Sequence, residues 1–349
     1  MDFTPDATAV AVGDVIGNIV ARHDAEWDSR FLDGGGFDTQ LWAAIAENGL
    51  ASLPLPESAG GDDVGVDGLM PILTAVGAAG GVAPVVALAA LPLLVRSAPE
   101  VVAQFGESIA CGGYLAVAIN EPASPLPKQP LTAVTGGRVT GVKTGVLHAG
   151  SALLLLVDTA QGMAIVEAQA PGVAMERTAS SSRWGEYTVR LDSVQPVAVV
   201  DVGQALSEHY LLGIAAYADG LINGATELAA KHVTEREQFG KPLGTFQAVQ
   251  QQIADIYVVG RTMHLAAVSA SWRLATGAAA QHDLALASYW MAQELPSAMR
   301  TLTHLHGGVG VDITYPLHRY FSVAKDLARL LGGPVAGLDR YSDALQLGA

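Results

Sequence analysis

Hydrophobic positions along this chain change their period twice. From Ala7 to about Ala110 they recur every three to four residues, the spacing of helices buried on one side, with breaks at Gly34-Gly35-Gly36, at 54–61 and at Gly80-Gly81. Between about Cys111 and Val202 the period shortens to two, and segments 114–119, 139–142, 152–157, 163–167 and 187–191 read as short strands separated by Gly, Pro and Asp turns. From Leu206 long helical patterns return, interrupted at Gly240-Lys241-Pro242, Gly277 and Gly307-Gly308. The predicted organisation is an N-terminal helical region over 1–110, a middle β region over 111–203 and a C-terminal helical region over 204–349. No internal repeat or low-complexity linker divides them.

Composition narrows the class. A chain of 349 residues with 50% hydrophobic side chains and a mean hydropathy of +0.33 can bury a large core. The longest apolar run, 82–95, contains Pro84 and Pro92 and is too short and broken to span a bilayer; it reads as a core or interface helix. Met1 is followed by Asp2 and a polar stretch rather than by basic and apolar signal-peptide regions, so a cytoplasmic location is expected. The single cysteine, Cys111, excludes an internal disulfide and a Cys-based zinc site and reads as a small buried hydrophobe. With 34 acidic and 19 basic residues the formal charge is −15, which disfavours nucleic acid as a partner and leaves few cations for any phosphate-bearing ligand.

One interruption carries candidate chemistry. A helix from about Leu206 to Glu237 stops at Gly240, Pro242 follows, and a second amphipathic helix restarts near Thr245. Arg236 beside this break and Gln247 about one turn into the next helix point a guanidinium and an amide at one spot outside the bundle. That pairing suits a phosphate attached to a base; an αα-hairpin with a solvated Arg is the plain alternative.

The segment Arg236-Glu237-Gln238-Phe239-Gly240-Lys241-Pro242-Leu243, with Gln247, resembles the signature of the acyl-CoA dehydrogenases, flavoenzymes that oxidise the Cα–Cβ bond of acyl-CoA thioesters. Leu41-Trp42 through Gly49-Leu50, then Pro56-Glu57 and Gly60-Gly61, matches near the N-terminus. Leu305-His306-Gly307-Gly308-Val309-Gly310, then Tyr315 to Phe321 and Ala324-Lys325, matches near the C-terminus. The resemblance runs over about residues 40–331 in family order. It implies an α+β fold with an N-terminal helical domain, a small middle β-barrel or sandwich, and a C-terminal four-helix bundle. It also implies FAD shared across a subunit boundary. The adenine side would be clamped by Arg236, Phe239, Gln247, His304, Gly307 and Gly308: Arg bridges phosphate oxygens, Gln reads an adenine edge, and paired glycines let the backbone approach.

Departures from the family pattern matter equally. The loop that normally holds the flavin ring reads Asn120-Glu121-Pro122-Ala123-Ser124-Pro125, keeping Glu-Pro and lacking Gly-Ser-Asp. The strand that normally carries a Trp against the ring reads Lys143-Thr144-Gly145-Val146-Leu147-His148. The usual base positions hold Leu331 and Tyr210, and Leu211 stands where an Arg is expected. Glu208 lies two residues from Tyr210, a rotation of about 200° on a helix; it reads as a solvated residue near a helix N-terminus, with a base role as the alternative. His304, His306 and His318 have no metal-ligand spacing and read as polar groups near a cofactor or interface. Asp312 and Asp326 read as solvated, and Trp184 beside Arg183 as turn packing.

The resemblance is therefore to the smaller, base-lacking subunits of actinobacterial heteromeric (α2β2) acyl-CoA dehydrogenases of steroid catabolism. It implies a catalytic partner subunit, an acyl-CoA substrate and an electron acceptor such as an electron-transfer flavoprotein. A self-sufficient homomeric enzyme using Glu208, and a flavin-free interaction protein of the same fold, are the other two readings.

Overall fold

The computed structural model describes residues 3–23 and 36–347; the predicted break at Gly34 and Gly35 lies outside them. Helices come first: α1 (Ala7–His23), α2 (Thr39–Glu47), α3 (Met70–Ala78), α4 (Val85–Leu88), α5 (Leu91–Ser97) and α6 (Pro99–Ala110). Asp38 caps α2, its carboxylate accepting from the Gln40 and Leu41 amides at 3.0 Å. The apolar run 82–95 is two short buried helices rather than one, because Pro84 and Pro92 each fit only at a helix start. Cys111 follows α6 and is exposed, contrary to the expectation of burial. Its position just past the end of α6 takes it out of the helix's buried stripe.

Two open sheets form the middle region, so the barrel alternative is corrected. In one, β1 (Leu115–Ala118), β4 (Leu154–Thr159), β5 (Gly162–Glu167) and β8 (Ala198–Val200) lie in that order; β1 and β4 are parallel. In the other, β2 (Ala133–Thr135), β3 (Arg138–Leu147), β7 (Glu186–Val194) and β6 (Val173–Thr178) form an antiparallel sheet. The β3–β7 register slips between Lys143 and Val146, and within that bulge Gly145 takes φ +64°.

The C-terminal helices are α7 (Ala205–Glu235), α8 (Gln247–Ala275), α9 (Gln281–His306), α10 (Leu317–Leu330) and α11 (Gly333–Leu347). The first ends two residues earlier than its apolar pattern suggested. The second begins at Gln247, which is thus its first residue rather than one turn in. Helix α7 crosses α3 closely enough that a Cβ on Gly224 would lie 1.8 Å from the Ala78 carbonyl oxygen; only hydrogen fits there. Tyr217 on α7 is fully buried and donates to the Gly81 carbonyl at 2.7 Å, and Tyr320 on α10 donates to Ala78 at the same distance.

A buried ion pair fixes the loop after β1. Lys143 on β3, 0% exposed, donates to Glu121 at 2.9 Å and to the Ile119 carbonyl at 3.0 Å. Glu121 also accepts from the Leu131 and Thr132 amides at 2.8 Å each. Burial opposes ionisation of Glu121, but the Lys143 ammonium and the two amides outweigh it and hold the carboxyl at about 2. Removing one partner strands the other. Lys143→Met should lower the unfolding free energy by about 3–5 kcal/mol, and adding Glu121→Gln should recover part of that loss. Urea unfolding midpoints check this; a double variant as unstable as the single one would show that the stranded charge is not the cause.

Candidate active site and cofactor clamp

Two candidate surfaces lie at opposite ends of the long helix α7. At its N-terminal end the strands meet the C-terminal helices. Asn120 donates to the Leu330 carbonyl at 2.9 Å and accepts from the Leu126 amide at 2.8 Å, pinning the loop after β1 onto the end of α10. In the β3 bulge a Cβ on Gly145 would stand 2.6 Å from Leu330 Cδ2. The left-handed backbone strains any larger residue at 145, and Leu330 occupies the space its side chain would need.

The usual base positions carry no base. Leu331 is fully buried, and its carbonyl accepts from Arg340 at 2.7 Å. Tyr210 is buried too, and burial, reinforced by Glu186, pushes its phenol above the ordinary value. Sequence reading missed Glu186: it is a buried β7 carboxylate paired with Arg329 on α10. Burial raises its pKa, and Arg329 pulls in the opposite direction. Asp326, expected to be solvated, is buried and accepts from the Ser181 and Ser182 amides at 3.2 and 2.7 Å. Trp184 is buried, edge-on to Tyr217 and beside the His148 ring.

Glu208 is also not free in solvent. It is half-buried, accepts from Gln281 Nε2 at 2.6 Å, and burial raises its pKa. It lines a cleft of about 1260 Å³ between the 125–131 loop, the β4–β5 turn and α11. Leu211 shares this lining, whereas Tyr210 faces Glu186 and Arg329. The cleft is acidic: Asp158, Asp201, Asp339 and Asp343 join Glu208 against Lys128 and Arg340. Lys128 is already paired with Asp343, and burial pushes Asp158 up to about 6.

The other end of α7 carries the predicted clamp. Arg236 caps the helix with extended backbone, φ −77° and ψ 119°, its N–H donating to the His232 carbonyl at 2.8 Å. A two-residue hairpin follows, β9 (Glu237–Gln238) against β10 (Lys241–Pro242), turned by Phe239 and Gly240 at φ +56° and +78°. Two positive φ values are what a tight hairpin turn requires, which explains Gly240. Phe239 is 91% exposed at the tip, and Lys241 Nζ sits 4.3 Å from the Phe246 ring centroid. Arg236, Gln247, His304, Gly307 and Gly308 are all exposed. Gly307 has φ +63°, and a Cβ on either glycine would meet nothing within 4 Å. The His232 and His306 rings stack at 4.4 Å, joining the last turn of α7 to the last turn of α9. That contact brings the Arg236 and Gly307 segments together. Asp312 is exposed, as expected, and no His/Cys/Asp/Glu cluster suited to a metal occurs among the described residues.

Helices, two open sheets and a helical bundle in this order are the architecture of the acyl-CoA dehydrogenases. The pattern described as acyl-CoA dehydrogenase, C-terminal domain, matches residues 208–335. The chain is 42% identical over 342 residues to the acyl-CoA dehydrogenase FadE28 of Mycobacterium tuberculosis, covering 96% of both chains. Among solved structures it is similar to the Tcur3481-Tcur3483 steroid ACAD, with a TM-score of 0.90, 29% identity, and coverage of 97% of this chain and 98% of that one. It is also similar to the ChsE4-ChsE5 complex from Mycobacterium tuberculosis, with a TM-score of 0.89, 31% identity and 99% coverage of both. The chain belongs to the acyl-CoA dehydrogenase family. No helix among the described residues is long and apolar enough to cross a membrane.

Proposed function

We propose that this chain is one subunit of an FAD-dependent acyl-CoA dehydrogenase, supplying adenine-side contacts to a cofactor whose ring lies in a catalytic partner subunit. The observation that carries the reading is the asymmetry between the two ends of α7. The clamp residues fit a nucleotide: Arg236 and Gln247 are exposed side chains without a structural task, and the open Gly307-Gly308 backbone admits a close neighbour. The ring side lacks the family's Gly-Ser-Asp loop and Trp-bearing strand, and Leu330 packs against the β3 bulge at Gly145. The chemistry supplied by bound FAD in this family is hydride acceptance during α,β-dehydrogenation of an acyl-CoA thioester. In this chain Leu331 and Tyr210 offer no carboxylate for the accompanying proton, and Glu186 is engaged by Arg329.

The partner's surface follows from exposure at the clamp. Phe239, Val309, Val311 and Ile313 are exposed apolar side chains around Arg236 and the glycine turn, and a second subunit would cover them. The acidic cleft repels the phosphates of coenzyme A, which supports substrate binding in the partner. By likeness to the steroid ACAD the substrate is a steroid-derived CoA ester, and the acceptor that membership of the family implies is an electron-transfer flavoprotein. A homomeric enzyme using Glu208 is the second reading, favoured by the position of that carboxylate in a cleft and by its raised pKa.

Substitutions at Arg236 and Gln247 test the clamp, and one at Glu208 separates the two readings. Arg236→Ala in the assembled enzyme should remove a charge-assisted contact of about 1.5–3 kcal/mol, roughly 10- to 150-fold in FAD affinity, with the fold intact. Unchanged flavin retention in the Arg236→Ala, Gln247→Ala double variant would show that the clamp lies elsewhere. Glu208→Gln should leave turnover within a few-fold of the parent, whereas loss of a general base costs on the order of 10²–10⁴-fold. A loss of about a hundredfold or more, at unchanged FAD content, would promote the homomeric reading.

A further inference from the structure

The clamp is built on a pair of histidines. His232 lies one turn before Arg236, and His306 immediately precedes Gly307, so their 4.4 Å stack, inclined by 25°, sets how the two clamp segments sit against each other. The His306 Nδ1 hydrogen bonds with the Leu302 carbonyl at 2.8 Å, which makes Nδ1 the donor and leaves Nε2 as a bare acceptor. That Nε2 is buried and has no hydrogen-bond partner. Tyr315 closes the other side of the ring at 5.2 Å, and the remaining groups facing the pair are Arg236 and Glu235 on α7. A proton arriving on His306 would thus place an N–H and a charge in a buried position without an acceptor.

Resting on the clamp reading above, we propose that His232 and His306 are positioning residues: stacked while both rings are neutral, they hold Arg236 and the Gly307 turn in register for the adenosine diphosphate half of FAD. Protonation of His306 drives its ring out of the stack to reach water, and the adjoining turn moves with it. The clamp is therefore acid-sensitive. The environment agrees in sign. Burial lowers the pKa of both rings from the ordinary 6.5, with His232 adding to the effect at His306 and Arg236 to that at His232. A histidine lowered in the folded state contributes stability that is intact above 6.5 and is lost as pH falls below that value.

The test uses the full-length chain and ADP-ribose, a diphosphate diester that carries the adenine half of FAD without the ring. Calorimetric titration at pH 7.5 and 5.5 should show weaker binding by the parent at the lower pH, by less than the roughly tenfold that an imidazole of pKa about 6.5 would give, and no such loss for His306→Phe, which keeps a stacking ring and cannot titrate. Equal pH dependence in parent and variant overturns the proposal. Thermal unfolding supplies a readout independent of nucleotide: the stability of His306→Phe relative to the parent should rise between pH 7.5 and 5.5, and a constant difference overturns the proposal. Absence of ADP-ribose binding at both pH values counts against the clamp itself, and the thermal comparison then decides whether the pair titrates as argued. His306→Asn, which likewise cannot take up a proton, replaces His306→Phe in both measurements if the latter does not fold.

Discussion

The contact between Leu330 and the β3 bulge at Gly145 is the constraint on which the rest of this structure depends. It locks the end of α10 onto the second sheet, and Asn120, Asp326 and Arg329 each add a polar tie across the same seam. Between the sheets and the helical bundle an acidic cleft of about 1260 Å³ remains, lined by Glu208 and Leu211. The same packing turns the usual base positions inward. Leu331 and Tyr210 serve the core, and the one carboxylate beside them, Glu186, is neutralised by Arg329. The exposed Arg236 and the glycine turn lie at the far end of α7 from these residues.

Charge distribution points the same way. A chain with a formal charge of −15 has few cations to spend on an anionic cofactor. Lys143 is consumed by Glu121, Lys128 by Asp343 and Arg329 by Glu186. Arg236 instead stands exposed at a helix end beside an open glycine turn. In an acidic background one such guanidinium is a strong local feature, and its surround of exposed apolar side chains matches the edge of a subunit interface better than a free surface.

Local patterns in the sequence reported the long elements well, since α7, α8 and α9 each repeat the helical period over more than six turns. Strands β2 and β8 escaped because three residues are too few to establish alternation, and β6 because Val173–Thr178 is mostly exposed and lacks an apolar face. The burial of Asp326 and Glu186 was not legible, because their partners lie more than 140 residues away along the chain. The residues proposed here as a clamp come from the motif around Arg236, and their exposure is what the structure adds. The His232–His306 stack was not legible: His306 was noticed as a polar neighbour, but nothing in the spacing tied it to a ring 74 residues earlier. The departure of the Asn120–Pro125 loop from the family pattern was visible, whereas its tie to Leu330 through Asn120 was not.

The most direct test of the account is the flavin content of purified protein, read from the visible absorbance against total polypeptide. The chain expressed alone should contain little FAD, and the chain co-purified with its catalytic partner should contain about one FAD per pair of subunits. One FAD per chain in the protein purified alone would contradict the account, because this chain would then hold the whole cofactor without a partner.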